Sequence, residues 1–520
     1  MSKSPRVLLL GLDSADAELI EAWAAEGHLP TFARLRREGL WSRLRTTAEV
    51  MHVSAWPTIY TGATPGRHGL YHAYQVRAGS QLVHRTLPSW CALPPFWKHL
   101  DDAGRRCIVM DAFMGHPLEG FNGIQIGEYG TWTWFGEPYA NPKSLQREIV
   151  RRFGPYPAPE HSRQVTIPDQ LAFRDAVVRA AAVKADAACW LLREHPWDMA
   201  FVTFGEPHGA GHYLWHTGDS SYPLHEPVPG LPHPLKDVYV AVDRALGQVI
   251  DAFADERTTV LVTSGDGMGP NYSGAHLMPE LLHRMGLFHA PTVGRSSGAE
   301  PAGKPRQSLA GTVRNLIPLG VRQSITRCLP RKLKYKLSMK WVNADIDWTR
   351  SRAFCIPNNN EGYFRVNLEG REPLGNVAPG ERYREVVERL RGELQGLVNP
   401  LNGCGCAAGV HVIDEVFPGS ERQHLPDVVI SWDFDARVLD RVQGPTAGLV
   451  QGKAGYDTPA YYTGNHRPNA FVAATGPRVV SNSLTNEGHI VDIAPTVLAL
   501  LGVEAPAPFE GKAWPQVAGA

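Results

Sequence analysis

The sequence predicts an α/β protein with a central, mostly parallel sheet sandwiched by helices. Three observations carry this. Short, almost continuous apolar runs recur at 6–12 (RVLLLGL), 106–111 (RCIVMD), 198–204 (DMAFVTF) and 259–263 (TVLVT), the pattern of strands buried on both faces. Helical stretches at 15–26, 31–38, 142–153, 168–194 and 235–254 alternate with them. The runs end in loops rich in Gly, His and Asp, and in such sheets ligands bind beyond the carboxyl ends of the strands. Asp13, the segment after Phe204 and the segment after Thr263 are therefore expected to converge.

Each element has its own justification. The run 6–12 is followed at once by Asp13, so it reads as a buried first strand and is too short for a signal peptide. No apolar run approaches the roughly 18 residues that span a bilayer. With 520 residues the chain holds more than one unit, or one large α/β domain with insertions. Lys+Arg and Asp+Glu both number 52, which argues against nucleic-acid binding through overall charge. A hydrophobic content of 43% with 20% charged residues excludes a disordered chain. Seven scattered cysteines, none in a C-x-x-C pair, predict reduced thiols and a cytoplasmic location. Cys404 and Cys406 read as part of a Gly-rich turn rather than a metal or redox pair.

The stretch 296–344 differs in composition. It opens on a Ser/Gly/Pro-rich linker, and from Pro301 to Ala344 it has no acidic residue but many basic ones. Leu and Ile at helical spacing predict one or two amphipathic helices, broken at Pro318 and Pro330. The favoured expectation is a solvated face on an inserted cap. The alternative is a lid or dock for an anionic substrate, a membrane surface or RNA.

The chemistry-bearing residues sit beside the strands. His208 and His212 are spaced i, i+4 in GEPHGAGHYLW, and a helical turn there would put both rings on one face, as a zinc pair requires. Asp266 lies in TSGDGMGP, His466 in YYTGNHRPNAF, and Asp13 at the end of the first strand. Any one of these alone is most simply an ordinary polar residue. Five together, in loops next to strands, point to a metal site. Trp132, Trp134 and Trp215 could line a pocket, but packing is the simpler reading.

Six segments, RVLLLGLDSAD, WPTIYTGATPGRHG, FVTFGEPHGAGHYLW, VLVTSGDGMGP, TGNHRPNAFVAATGP and IVDIAPTVLALLGV, occur in the order seen in the alkaline phosphatase superfamily. The chain resembles in particular its type I phosphodiesterase and nucleotide pyrophosphatase branch, with IDWTRSRAFCIPNNNEGYFRVNLEGREPLGNV and HLPDVVISW as further similar segments. The resemblance implies an alkaline-phosphatase-like fold and two-metal phosphoryl or sulfuryl transfer from a Thr or Ser nucleophile. It implies metal ligands at Asp13, His212 and His466.

Four positions depart from the branch's pattern. His208 stands where a D-x-x-x-H loop has Asp. Gly265 and Asp266 stand where an S-D-H-G-M segment has Asp and His. His52 falls at the nucleophile position, with Ser54 the nearest hydroxyl. His208, His212 and His466 would then form a neutral three-imidazole site, the ligand set of a catalytic zinc. Asp13 and Asp266, with or without His52, would form a second site for another divalent ion, with Mn or Mg as alternatives to Zn. The reaction could start from His52, from Ser54 at the head of a helix, or from a water activated by the ion.

The expected function is metal-dependent hydrolysis or transfer at a phosphate ester or phosphodiester of a small anionic substrate, nucleotide-like or another phosphorylated metabolite. Two alternatives are a different metal-dependent reaction on the same fold (lyase, transferase or non-phosphate hydrolase) and an inactive anion-binding member. The chain is expected to divide into a catalytic core at 1–271 and 436–520, a basic helical cap at 272–345 and a smaller α/β segment at 346–435.

Overall fold

The computed structural model describes residues 4–130, 138–158, 167–223, 225–229, 233–290, 339, 343, 346–452, 462–481, 488–507 and 509–518. Its principal sheet runs, in spatial order, Leu40–Leu44, Ala470–Thr475, Thr258–Ser264, Arg6–Leu12, Met199–Phe204, Cys107–Met110, Ile124–Gly127 and Tyr139–Asn141. The middle strands, from Thr258–Ser264 to Ile124–Gly127, are all parallel. Ala470–Thr475 is antiparallel to both its neighbours, and Tyr139–Asn141 closes the other edge antiparallel. The sequence predicts the four apolar strands within a residue or two of their observed ends. The edge strands escape it because they are short and only partly apolar.

Alternation along the first strand sets up two cores. Leu8, Leu10 and Leu12 face one cluster with helices Ile167–Glu194 and Pro234–Phe253. Val7 and Leu9 face the other with helices Ala55–Thr61 and Ile493–Leu500. Each of these side chains is fully buried, worth about 1.5–3 kcal/mol apiece. The sheet is therefore covered on both faces, as the apolar strands require.

Register then aligns the strand ends. Gly11 lies opposite both Thr203 and Thr263, and the Asp13 amide donates to the Phe204 carbonyl at 2.9 Å. The loops carrying Asp13, His208 and Asp266 thus leave the sheet at one edge.

A second sheet is antiparallel, in the order Ala353–Ile356, Gly362–Val366, Val428–Trp432, Ala407–Val412, with helix Glu381–Gln395 against it. Its hydrophobic cluster also takes in Met278 and Leu281 of helix Met278–Arg284, and Val442 and Val450 of the hairpin formed by Arg441–Gly444 and Gly448–Gln451. Packing around this sheet therefore reaches beyond 346–435 in both directions. Most of the expected cap at 272–345, all but a few residues of its basic stretch, and Trp132 and Trp134 lie outside the described residues. Trp215 is buried in the main core, with its indole N–H on Asp219. Among the described residues no helix is long and apolar enough to cross a membrane.

Candidate active site

Helix Glu206–Gly218 starts two residues after the strand Met199–Phe204, with Pro207 in its first turn. It puts His208 and His212 one above the other, ring centroids 4.7 Å apart. Gly211 and Gly464 allow the strand Gly464–Arg467, which carries His466 and pairs with Gly267–Pro270, to close on this helix: a Cβ on Gly464 would sit 2.2 Å from the Gly211 carbonyl oxygen. That approach brings the Gly464 carbonyl to His212 Nδ1 at 2.9 Å. His466 follows two residues later, its ring centroid 5.0 Å from those of both other histidines. Ligand atoms of His208, His212 and His466 lie within 4.8 Å of one another.

The back of each ring is held. His212 Nδ1 donates to the Gly464 carbonyl, which leaves Nε2 as the inward lone pair. His208 Nδ1 lies 2.8 Å from Asp13 Oδ2, and Asp13 Oδ1 accepts from Trp56 Nε1 at 2.7 Å. His466 Nδ1 lies 2.7 Å from Asp266 Oδ2 and 3.2 Å from the Ser14 hydroxyl. Ser14 reaches that place because its left-handed backbone, φ 53°, turns the chain sharply off the first strand.

Asp13 and Asp266 thus sit behind imidazoles. Among the described residues the three histidines are the one group of metal-holding side chains, and the two carboxylates do not form a second.

These contacts fit a cation. With Nδ1–H of both His208 and His212 turned outward, their Nε2 atoms, 2.9 Å apart, present facing lone pairs. A positive ion accommodates that pair, and carboxylate or carbonyl partners behind ligating imidazoles are the usual arrangement. Burial, then the neighbouring imidazoles, hold His466 well below its ordinary pKa, so it is the neutral form a metal needs. Burial, then the Asp13 charge, push Asp266 well above the usual carboxylate range; a nearby cation would oppose that shift.

His52 completes the cluster from another direction. Its ring stacks on His466 at 4.1 Å between centroids. Its Nδ1 lies 2.8 Å from Glu361 Oε2, and its amide donates to Glu361 Oε1 at 3.0 Å. Burial alone would raise Glu361. The His52 charge and hydrogen bonds, with the Asn358 amide, hold it down to about 2. As an ionised acceptor, Glu361 fixes the ring proton on Nδ1 and leaves His52 Nε2 as the reactive nitrogen.

Glu361 is the residue sequence reasoning missed. Its only signal was a lone carboxylate after the Asn-rich turn in PNNNEGYF, inside a segment similar to the branch. Ser54 is fully buried; its hydroxyl donates to the Met51 carbonyl at 2.6 Å and lies 2.8 Å from the Thr47 hydroxyl, which can donate to it in turn. The structure spends that hydroxyl on the turn leading into helix Ala55–Thr61.

The sequence model of the type I phosphodiesterase / nucleotide pyrophosphatase family matches residues 7–457. The chain belongs to this family. A search of curated proteins finds no match. Among solved structures, phosphonoacetate hydrolase from Sinorhizobium meliloti, in complex with phosphonoformate, aligns over 95% of each chain at 14% identity with a TM-score of 0.50. A mutant of alkaline phosphatase PafA aligns over 100% of each chain at 14% identity and TM-score 0.51, and the wild type over 100% of each at 13% and 0.50. At such identities these likenesses establish the alkaline-phosphatase-like fold. Family membership makes the protein a phosphohydrolase-like enzyme of a metal-dependent superfamily.

At Gly265, where the resemblance implies a carboxylate, this chain has no room for a side chain. A Cβ there would meet the Ala55 Cβ at 2.8 Å and Ile59 Cδ1 at 3.1 Å. Helix Ala55–Thr61 packs too close to the Thr258–Ser264 strand end to admit a side chain.

Proposed function

We propose that the protein hydrolyses a phosphodiester or phosphate ester of a small anionic substrate, using one divalent cation, zinc by preference, held by His208, His212 and His466. The observation that supports this most is the outward anchoring of these rings, which turns their other nitrogens toward a common point beside His52. Three neutral imidazoles suit zinc, and they leave a fourth position open. When bound there, the ion supplies a Lewis acid for a phosphoryl oxygen and lowers the pKa of attacking water.

The chain's own residues do the rest. Asp13 and Asp266 fix the orientation of His208 and His466 and partly offset the added positive charge. Glu361 orients His52 so that Nε2 accepts the proton of the attacking water, or itself attacks phosphorus. The Asn358 amide and the Tyr363 hydroxyl, 2.9 and 3.2 Å from Glu361 Oε2, hold that carboxylate in turn.

A second reading, a different metal-dependent reaction on this fold, is favoured by one observation: Asp13 and Asp266 serve imidazoles and, among the described residues, build no second ligand cluster. Elemental analysis with assays on nitrophenyl phosphate mono- and diesters separates the two. The proposal expects about one zinc per chain and hydrolysis of a diester. A zinc-loaded protein inert toward every ester would move the assignment to the second reading.

A further inference from the structure

A fifth imidazole stands beside His52 and the three candidate ligands. His72 follows the short helix Pro65–His68, which ends at Gly69 in the left-handed region, φ 80°. The next two side chains anchor the segment: Leu70 is buried in one core cluster and Tyr71 in another. Thr86, just past the strand Val83–Arg85, grips the backbone. Its hydroxyl donates to the His72 carbonyl at 2.5 Å and its amide to the Ala73 carbonyl at 2.9 Å.

Packing sets the ring against the reacting residues. It lies edge-on to His52, 6.1 Å between centroids, and edge-on to Tyr363 at 5.5 Å. Tyr363 carries the hydroxyl that reaches Glu361. His72 is only 4% exposed.

One bond fixes its tautomer. The Tyr74 amide donates to His72 Nδ1 at 3.2 Å, so Nδ1 is the lone pair and the ring proton sits on Nε2. His52 has the opposite tautomer, with Nδ1–H on Glu361 and Nε2 bare. Burial, then the His52 charge, hold His72 down to about 3, so the ring is a neutral donor around pH 7.

That donor is unused. Among the described residues His72 Nε2 has no hydrogen-bond partner, yet the atom keeps open surface. Nδ1 faces the chain that follows the ring, so Nε2, across the ring, points away from that chain.

A phosphate diester brings two non-bridging oxygens to such a centre. The ion proposed above takes one. The other gathers negative charge as the new bond to phosphorus forms, and a donor placed there stabilises it. Among the described residues the charges that bear on His72 are those of His52 and Glu361, with no lysine or arginine. A neutral N–H of fixed tautomer is the donor at hand.

We propose that His72 Nε2–H donates to a non-bridging phosphoryl oxygen of the substrate, and that His72 is thereby a catalytic residue. The assignment rests on the phosphate-ester reading and adds a residue to the same site. The proton is shared and kept: it stays on the ring when phosphorus is attacked and when the alcohol departs.

Two variants separate the ring's two nitrogens. In His72→Asn the new side-chain oxygen accepts from the Tyr74 amide, as in an Asx turn, and no donor reaches the place of Nε2. In His72→Gln the longer amide brings an N–H to that place and gives up the bond to Tyr74. Both should bind zinc as the wild type does, since His72 is not among the candidate ligands. Orthovanadate, which mimics phosphorus under attack, reads the donor without turnover. By calorimetry on the zinc-loaded protein, His72→Asn should weaken its binding about 100-fold and His72→Gln less than about tenfold. On bis(nitrophenyl) phosphate, kcat should fall in the same order with KM little changed. Equal vanadate affinity in wild type and His72→Asn, or equal losses in the two variants, overturns the assignment and leaves ester hydrolysis standing. A loss in His72→Gln with His72→Asn spared confines the ring to the Tyr74 turn and overturns it too. A wild type that takes up neither vanadate nor inorganic phosphate and cleaves no ester removes the phosphate-ester reading, and the assignment with it.

Discussion

Two buried polar clusters in this molecule look alike by composition and differ in kind. One lies on the smaller sheet, where Arg365, Arg371 and Arg422 meet Glu372 and Asp427. The other is the imidazole corner at the edge of the principal sheet. In the first, opposite charges are matched by direct bonds. Arg365 and Glu372 pair at 2.7 Å with no exposed side-chain area. Asp427 accepts from Arg371 at 2.7 and 2.8 Å, from the Tyr383 hydroxyl at 2.8 Å and from the Val366 amide at 2.7 Å. Burial would raise Asp427, yet Arg371 and the other arginines hold it well below the usual carboxylate range. In the second cluster, donors are matched only at the back of each ring, and the front nitrogens converge on each other. A saturated cluster locks a fold; one whose unshared electron pairs converge is built to receive something.

The comparison can be broken at either end. The largest effect is expected from Asp427→Ala, which removes the carboxylate shared by Arg371, Arg422, the Tyr383 hydroxyl and the Val366 amide, and leaves Arg371, among the described residues, only Glu372 as an ion-pair partner. It should cost about 3–5 kcal/mol in urea unfolding, with zinc affinity unchanged per folded molecule. A loss under about 1 kcal/mol would mean that the arginines find other partners.

His212→Ala should act the other way round. It should lower zinc affinity by more than about 100-fold, since even partners behind a ligand are worth roughly 10–100-fold, and it should remove activity. Apo-protein stability should fall by only about 1–3 kcal/mol, the cost of the lost bond to the Gly464 carbonyl, and so by less than in Asp427→Ala. Full zinc occupancy in the variant would exclude His212 as a ligand.

Glu361→Gln sharpens the role of His52. The shape and the Nδ1 acceptor remain while the charge goes, so kcat should fall about 10–100-fold with little change in KM and a shifted acid limb in the pH profile. An unchanged pH profile would leave Glu361 as packing only. If His52 attacks phosphorus directly, the trapped intermediate is acid-labile and base-stable, and Ser54→Ala retains activity.

The smallest effect is a slope. Burial holds His68, far from the candidate ligands in sequence and fully buried, down to about 3. Above about pH 6.5 it is neutral folded and unfolded, and its contribution is complete. Below that only the unfolded chain takes the proton, so stability should fall by about 1.4 kcal/mol per pH unit until the pH nears 3. Urea midpoints at about pH 7 and about pH 5, compared between wild type and His68→Gln, measure it. Equal pH dependence in both would show that His68 is not the source.

Much of the candidate site was legible before folding was considered. The i, i+4 spacing of His208 and His212 needed only a helix after a strand, and Glu206–Gly218 is that helix. Asp13, Asp266 and His466 were found because each adjoins an apolar run. Their partners were not legible. Nothing local ties Asp13 to His208 across 195 positions, or His52 to Glu361 across 309. Glu361 comes from a separate sheet whose turn chemistry marks a loop and nothing more.

By itself the sequence determined the layered α/β fold, the family and the identity of the imidazoles, because hydrophobic period and ordered motifs are local properties. Tertiary structure alone decided which carboxylate stands behind which ring, that Gly265 has no room for a side chain, and that Ser54 is spent on its own turn. Those are matters of distances between segments hundreds of residues apart. Packing of the two sheets sets them, and no spacing along the chain encodes them.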